Sequence, residues 1–153
     1  MDPVLNTTQM LRAILTSEGI RAALIYLNGL SNYRFTSLYR FDRDTLSNLY
    51  FFDRENPQVL STDSIPVLAS YCVFVRERAT PFLVADSLKD ERIGGHEARP
   101  VIRSYCGVPM VDESGSMFGS VCHYDYDPRA SDGSELHLLE VVAPMLMESR
   151  ERD

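Results

Sequence analysis

From Ile102 to Arg129 the chain reads IRSYCGVPMVDESGSMFGSVCHYDYDPR, and this stretch decides the fold. Val101 to Met110 is apolar and β-branched enough for a strand. Asp112 to Gly115 (DESG) has the polar, glycine-ended chemistry of a turn, and Met117 to Tyr124 is the strand that returns. Asp127, Pro128 and Arg129 close the second strand, because proline cannot donate to a ladder. Two strands joined so tightly are antiparallel.

Working toward the amino terminus, Phe82 to Ala85 is a short buried strand, and Asp86 to Pro100, which contains Gly94, Gly95 and His96, is a polar loop with a short helical piece. Ile65 to Ala79 reads as helix: Pro66 suits a first turn, and Val67, Tyr71, Phe74 and Val75 then share a face, although Tyr71 to Val75 also suits a strand. Residues 53 to 64 form a loop. Alternation is clearest at Tyr33, Phe35, Ser37, Tyr39 and Phe41 on one face, with Arg34, Thr36, Leu38 and Arg40 on the other. A turn at Asp42 to Asp44 leads into a returning strand from Thr45 to Phe52.

At the amino terminus, Asn6 and Gln9 have capping-box spacing before Leu11, Ile14 and Leu15. Gly19 interrupts a stripe that resumes at Ile20, Ala23, Leu24 and Leu27 and stops at Gly29, giving one bent helix or two consecutive ones. Toward the other end, Asp132 and Glu135 mark a helix start. Leu136, Leu139, Val142, Ala143 and Leu146 form its stripe, and Pro144 is expected to kink or shorten it. Helix, hairpin, helix, strand, strand pair and helix make an α+β order that fits an antiparallel sheet with helices on one side.

Composition bounds the function. The 153 residues are 44% hydrophobic and 24% charged, which fits one globular domain over 1–153. Fifteen basic residues against 22 acidic ones leave a net charge of -7, and fourteen of the fifteen are Arg, with Lys89 alone. That balance argues against clamping a nucleic-acid backbone. No apolar run suits a membrane span, and MDPVLNTTQM has no signal-type pattern, so a cytoplasmic protein is expected. Cys72, Cys106 and Cys122 are odd in number and widely spaced, against a disulfide scaffold, and no CxxC pair suggests structural zinc. No metal set is expected, and the sequence names no cofactor.

These segments together resemble the GAF domain family, the small sensory domains related to PAS domains. Cys72 sits where one subgroup carries Cys near a helix start. PFLVADSLKDERIGGH matches its strand, Asp86, and a D-x-R loop at Asp90 and Arg92. The decisive stretch matches at Arg103, Tyr105, Gly107 to Pro109, Gly115, Gly119, Ser120, Cys122, Asp125, Pro128 and Arg129. Upstream of Cys72 the match is one of element order alone. The resemblance implies a six-stranded antiparallel sheet, with amino- and carboxy-terminal helices on one face and a loop-roofed pocket on the other. It also implies bacterial-type signalling through a small-molecule ligand. The chain stops after its own terminal helix, so output would pass through a protein partner or a homodimer built on the terminal helices.

The candidate ligand-binding residues are Tyr39, Asp86, Asp90, Arg92, His96, Arg103 and Tyr105. Arg92 or Arg103 is expected to meet an anionic group if the loop is functional, or to brace the loop against Asp86 and Asp90 if it is not. Tyr33, Phe35, Tyr39 and Phe41 of the aromatic strand read as core before ligand wall, although a buried Tyr hydroxyl that needs a partner could face a polar ligand. Adjacent strand positions put Cys122 and His123 on opposite faces, so they make no catalytic pair, and the likeness to the Cys-His pair of bilin-binding members fails on context. His137 reads as a surface residue, and Asp125 with Arg129 as a tie between the sheet end and the last helix. The Asn-Lys-Phe-Asp-Glu set of cyclic-nucleotide-binding members is not found. Cys106 and Cys122 are the redox candidates, since neighbouring strands would let them approach; buried inert thiols are the bland alternative. A non-catalytic sensor is the leading expectation. An interaction module with a vestigial pocket and a thiol enzyme like the free methionine sulfoxide reductases of this family are the alternatives.

Overall fold

The amino-terminal stripe is two helices, α1 (Pro3–Ser17) and α2 (Ile20–Gly29), and Gly19 divides them. Its φ of 96° is one that L side chains rarely adopt. Asn6 and Gln9 lie inside α1 rather than at its cap, because the helix already runs from Pro3, a residue at home in a first turn. The computed structural model describes residues 3–151; the end residues of the expected 1–153 domain, Met1, Asp2, Arg152 and Asp153, lie outside the described residues.

The remaining elements are β1 (Phe35–Asp42), β2 (Thr45–Asp53), β3 (Ile65–Pro66), α3 (Cys72–Arg78), β4 (Phe82–Val84), β5 (Ser104–Val111), β6 (Met117–Asp125) and α4 (Ser134–Glu151). The strands form one antiparallel sheet in the order β3-β2-β1-β6-β5-β4. Both expected hairpins are present. The first turns on Arg43 and Asp44, with Arg43 at φ 57°. A bulge opposite Leu38 and Tyr39 leaves Leu49 as the extra residue of β2, since Leu38 faces Tyr50 and Tyr39 faces Asn48.

Two expectations fail locally. The helix expected over 65–79 exists only as α3; Ile65–Pro66 pairs with Thr45 and Leu46 as an edge strand, and Val67–Ala69 is a 3-10 turn. Ser70, in extended backbone, separates that turn from α3. Tyr33 does not share a face with Phe35. It precedes the strand, and the Arg34 amide bonded to Asp125 redirects the chain, so Tyr33 packs under the helices.

The sheet has a core on each face. On one, Leu38, Cys106, Val108 and Val121 meet Leu11 and Leu15 of α1, Leu24 and Leu27 of α2, and Leu139 and Leu146 of α4. Each fully buried leucine there contributes about 1.5–3 kcal/mol. On the other, Tyr39, Leu46, Tyr105 and Cys122 meet Val67, Tyr71, Cys72, Val75 and Ile93. The terminal helices therefore share one side, and α3 with the loops covers the other. Pro144 does not shorten α4, which runs eighteen residues and carries Pro144 on its exposed side. Asp125 binds the Arg34 and Asp127 amides and the Arg129 guanidinium, so it ties β6 to β1 and to the following loop rather than to α4. Among the described residues no helix is long and apolar enough to cross a membrane.

His123 faces the helices, opposite to Cys122. It stacks on Tyr33 with ring centroids 5.5 Å apart, and its Nδ1 lies 2.6 Å from Thr36 Oγ1. Thr36 Oγ1 already accepts from the Asn28 amide, so its hydroxyl proton is free to donate to Nδ1. Burial, aided by the charge of Arg54, lowers the His123 pKa to about 3. The unfolded chain takes up this proton below about pH 6.5 and the folded one does not. Stability is therefore full above that value and falls as the pH drops toward 3. At about pH 5 the loss is roughly 2 kcal/mol relative to neutral pH. Urea titrations at the two pH values are expected to show that loss in the native chain and much less of it in His123→Gln.

Candidate functional site

The sheet face turned away from the terminal helices holds a cavity of about 270 Å³. Strand alternation supplies its floor: Tyr39 from β1, Tyr105 from β5, and Cys122 and Tyr124 from β6. Ala69, Ser70 and Tyr71 ahead of α3, and Ala98 and Ile102 at the end of the polar loop, make the walls. Thr62, Asp63 and the exposed Tyr126 stand at the rim.

The floor is a hydroxyl and thiol network. Tyr39 Oη and Tyr124 Oη are 3.1 Å apart, and Ser37 Oγ lies 3.4 Å from the latter. The Tyr71 hydroxyl donates to the Ile102 carbonyl at 2.9 Å. Burial raises the pKa values of Tyr39, Tyr105 and Tyr124, so these phenols keep their protons. Tyr105 Oη lies 3.2 Å from Cys72 Sγ, and the Ser120 hydroxyl donates to the same sulfur at 3.2 Å.

Cys72 and Cys122 are both wholly buried free thiols, and they interact. Burial opposes ionisation of Cys72, but hydrogen bonds from Cys122, Ser120, Ser70 and Tyr105 outweigh it and lower its pKa. Cys122 moves the other way: burial, its bond to Cys72 and the neighbouring thiolate charge raise it. Of the two, Cys72 loses its proton first. Cys122 is the one of the two that lines the cavity.

The expected approach of Cys106 to Cys122 does not occur. Cys106 pairs with His123 and Gly107 with Cys122, so the two cysteines point to opposite faces, and Cys106 is buried among the helices. Burial raises the Cys106 thiol to about 12.

Of the expected ligand-binding residues, Tyr39 and Tyr105 come together in the cavity floor. Asp86 and Arg103 pair at 2.7 Å, and Asp90 and Arg92 at 2.6 Å, all outside the lining. The Arg103 partner holds the Asp86 pKa below the ordinary carboxylate range, and Arg92 does the same for Asp90. Arg92 also donates to the Leu83 carbonyl and lies 4.6 Å from the Phe82 ring centroid. These four residues brace the polar loop. His96 packs behind the wall against Tyr71 and Phe74, its Nδ1 accepting from the Ala98 amide, so that Nε2 carries the proton. Sequence reasoning missed Tyr71, Tyr124, Asp63 and the role of Cys72. The alternation Cys122, Tyr124, Tyr126 is the one signal that would have marked part of the lining. Among the described residues no group of three or more His, Cys, Asp or Glu is placed to hold a metal ion.

The GAF domain family model matches residues 5–148. Among solved structures, the GAF domain of an Acinetobacter phosphoenolpyruvate-protein phosphotransferase superposes with a TM-score of 0.79 at 14% identity, covering 99% of this chain and 95% of that one. Free methionine-R-sulfoxide reductase from Neisseria meningitidis, in complex with its substrate, gives 0.75 at 17% identity over 99% and 92%. A far-red-absorbing dark-state protein with bound biliverdin IXa gives 0.71 at 15% over 99% and 98%. At these identities the likeness is one of fold. A search of curated proteins finds no match.

Proposed function

Because the chain belongs to the GAF domain family, we propose that it is a non-catalytic sensor whose cavity beneath α3 binds a small organic molecule. The observation that carries this reading is the cavity itself, floored by Tyr39, Tyr105, Cys122 and Tyr124. Its volume is near the lower end of the roughly 300–1,000 Å³ usual for small-molecule sites. Binding would favour one arrangement of α3 and the loops over another and so alter contact with a partner. A homodimer through the terminal helices is the proposed route for that signal, and a monomer in sedimentation at high concentration would remove this part.

The test is thermal denaturation across a metabolite panel. At least one compound is expected to raise the melting temperature by several degrees, as any ligand specific to the folded state does. Ala98→Trp, which fills the cavity from its wall, is expected to abolish that rise. A panel without a single shift, or a shift that survives Ala98→Trp, contradicts the sensor reading.

The neighbouring Cys72 and Cys122 favour a second reading, a sulfoxide reductase-like thiol enzyme. In it a thiolate takes the sulfoxide oxygen, releasing a thioether and leaving a sulfenic acid. The second thiol displaces that oxygen as water to close a disulfide, and an added dithiol reduces the disulfide. This reading ranks second because both thiols are wholly buried and Cys72 is outside the cavity lining, where Cys122 alone of the two stands. Turnover of methionine sulfoxide with dithiothreitol, abolished by Cys72→Ser, would promote it over the sensor.

A further inference from the structure

We propose that the cavity selects an organic cation of the quaternary-ammonium class. This inference rests on the sensor reading and adds the charge of the ligand. Five tyrosine rings, at positions 39, 71, 105, 124 and 126, line the cavity, and no Arg, Lys or His does. The single charged lining residue is Asp63, which has no ion-pair partner among the described residues.

The basic residues nearby are already ion-paired or bonded to carbonyls. Asp86 pairs with Arg103, whose buried Nε has no partner, and Arg99 donates to the Ser87 and Leu88 carbonyls. Arg34 pairs with Asp53 and Glu55 and lies 5.4 Å from the Tyr126 ring centroid, which leaves the rings of Tyr39, Tyr71, Tyr105 and Tyr124 to meet a ligand. An anion entering this space would therefore lose its hydration and meet no unpaired basic side chain in the lining. A ligand with many hydrogen-bonding groups would find the hydroxyls of Tyr39, Tyr71, Tyr105 and Tyr124 already bonded within the wall. An alkylated ammonium meets neither cost. It has no N–H to satisfy, it is attracted by the ring quadrupoles, and it gains a free carboxylate at the rim. The net charge of -7 favours its approach.

Calorimetric titration of the full chain with choline, its neutral carbon isostere dimethylbutanol and the anion isethionate separates the terms. Choline is expected to bind saturably and at least about ten-fold more tightly than the isostere, the size of a partly desolvated cation–π interaction. Asp63→Asn changes an exposed side chain and leaves the fold intact. It is expected to weaken choline several-fold while leaving the isostere unchanged. If the isostere binds as tightly as choline, or isethionate binds in its place, the cation assignment is overturned and the sensor reading stands. If none of the three binds and the metabolite panel is also silent, both are overturned.

Discussion

Gly119→Ala is expected to cost more than about 3 kcal/mol and to lower the melting temperature by roughly 10 °C. Gly119 sits on β6 where that strand crosses the sheet centre opposite Arg40. A Cβ added there would fall 2.8 Å from the Tyr39 carbonyl carbon and 3.0 Å from the Arg40 Cα, with the Tyr39 carbonyl oxygen nearer still. Those are backbone atoms of the neighbouring strand. A flexible side-chain tip can swing aside, but here relief requires β1 and β6 to separate where they join the two halves of the sheet. Those strands also carry Tyr39, Cys122 and Tyr124, so the cavity floor is expected to be lost with the stability. Differential scanning calorimetry reads the first effect and the ligand-induced thermal shift the second. A variant that melts within a degree of the native chain would show that this crossing is looser than described.

Gly107→Ala is expected to lose about 3 kcal/mol by a different route. The Tyr105 ring lies over Gly107, and an added Cβ would sit 2.6 Å from its Cζ and 2.9 Å from its Cε1. The ring has nowhere to go. It is buried between Tyr71 and Phe82, with its hydroxyl on Cys72. Forcing it out breaks the hydroxyl–thiol contact and pushes the ring toward the cavity. Tyr105→Phe makes the useful companion, since it removes the hydroxyl and keeps the ring. If Gly107→Ala and Tyr105→Phe are equally mild, the packing of Tyr105 on Gly107 is not what shapes the floor.

The fold was readable wherever a local pattern matches the geometry that buries it. Alternation from Phe35 to Phe41, the DESG turn and the stripe of α4 are such patterns, and each marks an observed element. Patterns failed where a long-range bond sets the outcome. Tyr33 changes face because Asp125, ninety-one residues beyond Arg34, holds the Arg34 amide. Ile65 and Pro66 become an edge strand because β2 offers them an open ladder, and the Val67 amide then bonds to the Asp44 carbonyl. The spacing of Val67, Tyr71 and Val75 looks helical in either case, since all three are buried against the sheet.

The site was less readable, for the same reason. Tyr39 and Tyr105 follow from strand alternation plus the resemblance. Cys72 and Cys122 meet only because α3 docks on the face that β6 shows to the cavity, and no spacing in the chain encodes that. Asp86 and Asp90 neutralise Arg103 and Arg92 through contacts seventeen and two residues apart. An anion site suggested by arginines in a loop thus gives way to a loop brace.

A crystal structure after soaking with small aromatic and alkylammonium fragments tests the open cavity most directly. Fragments are expected between the Tyr39–Tyr124 floor and the Ala69–Tyr71 wall, with the Tyr39–Tyr124 hydroxyl contact preserved. Tyr71 or Tyr126 folded into that space, with fragments binding only at the helix-covered face or on the surface, would contradict a ligand-sensing role for this domain.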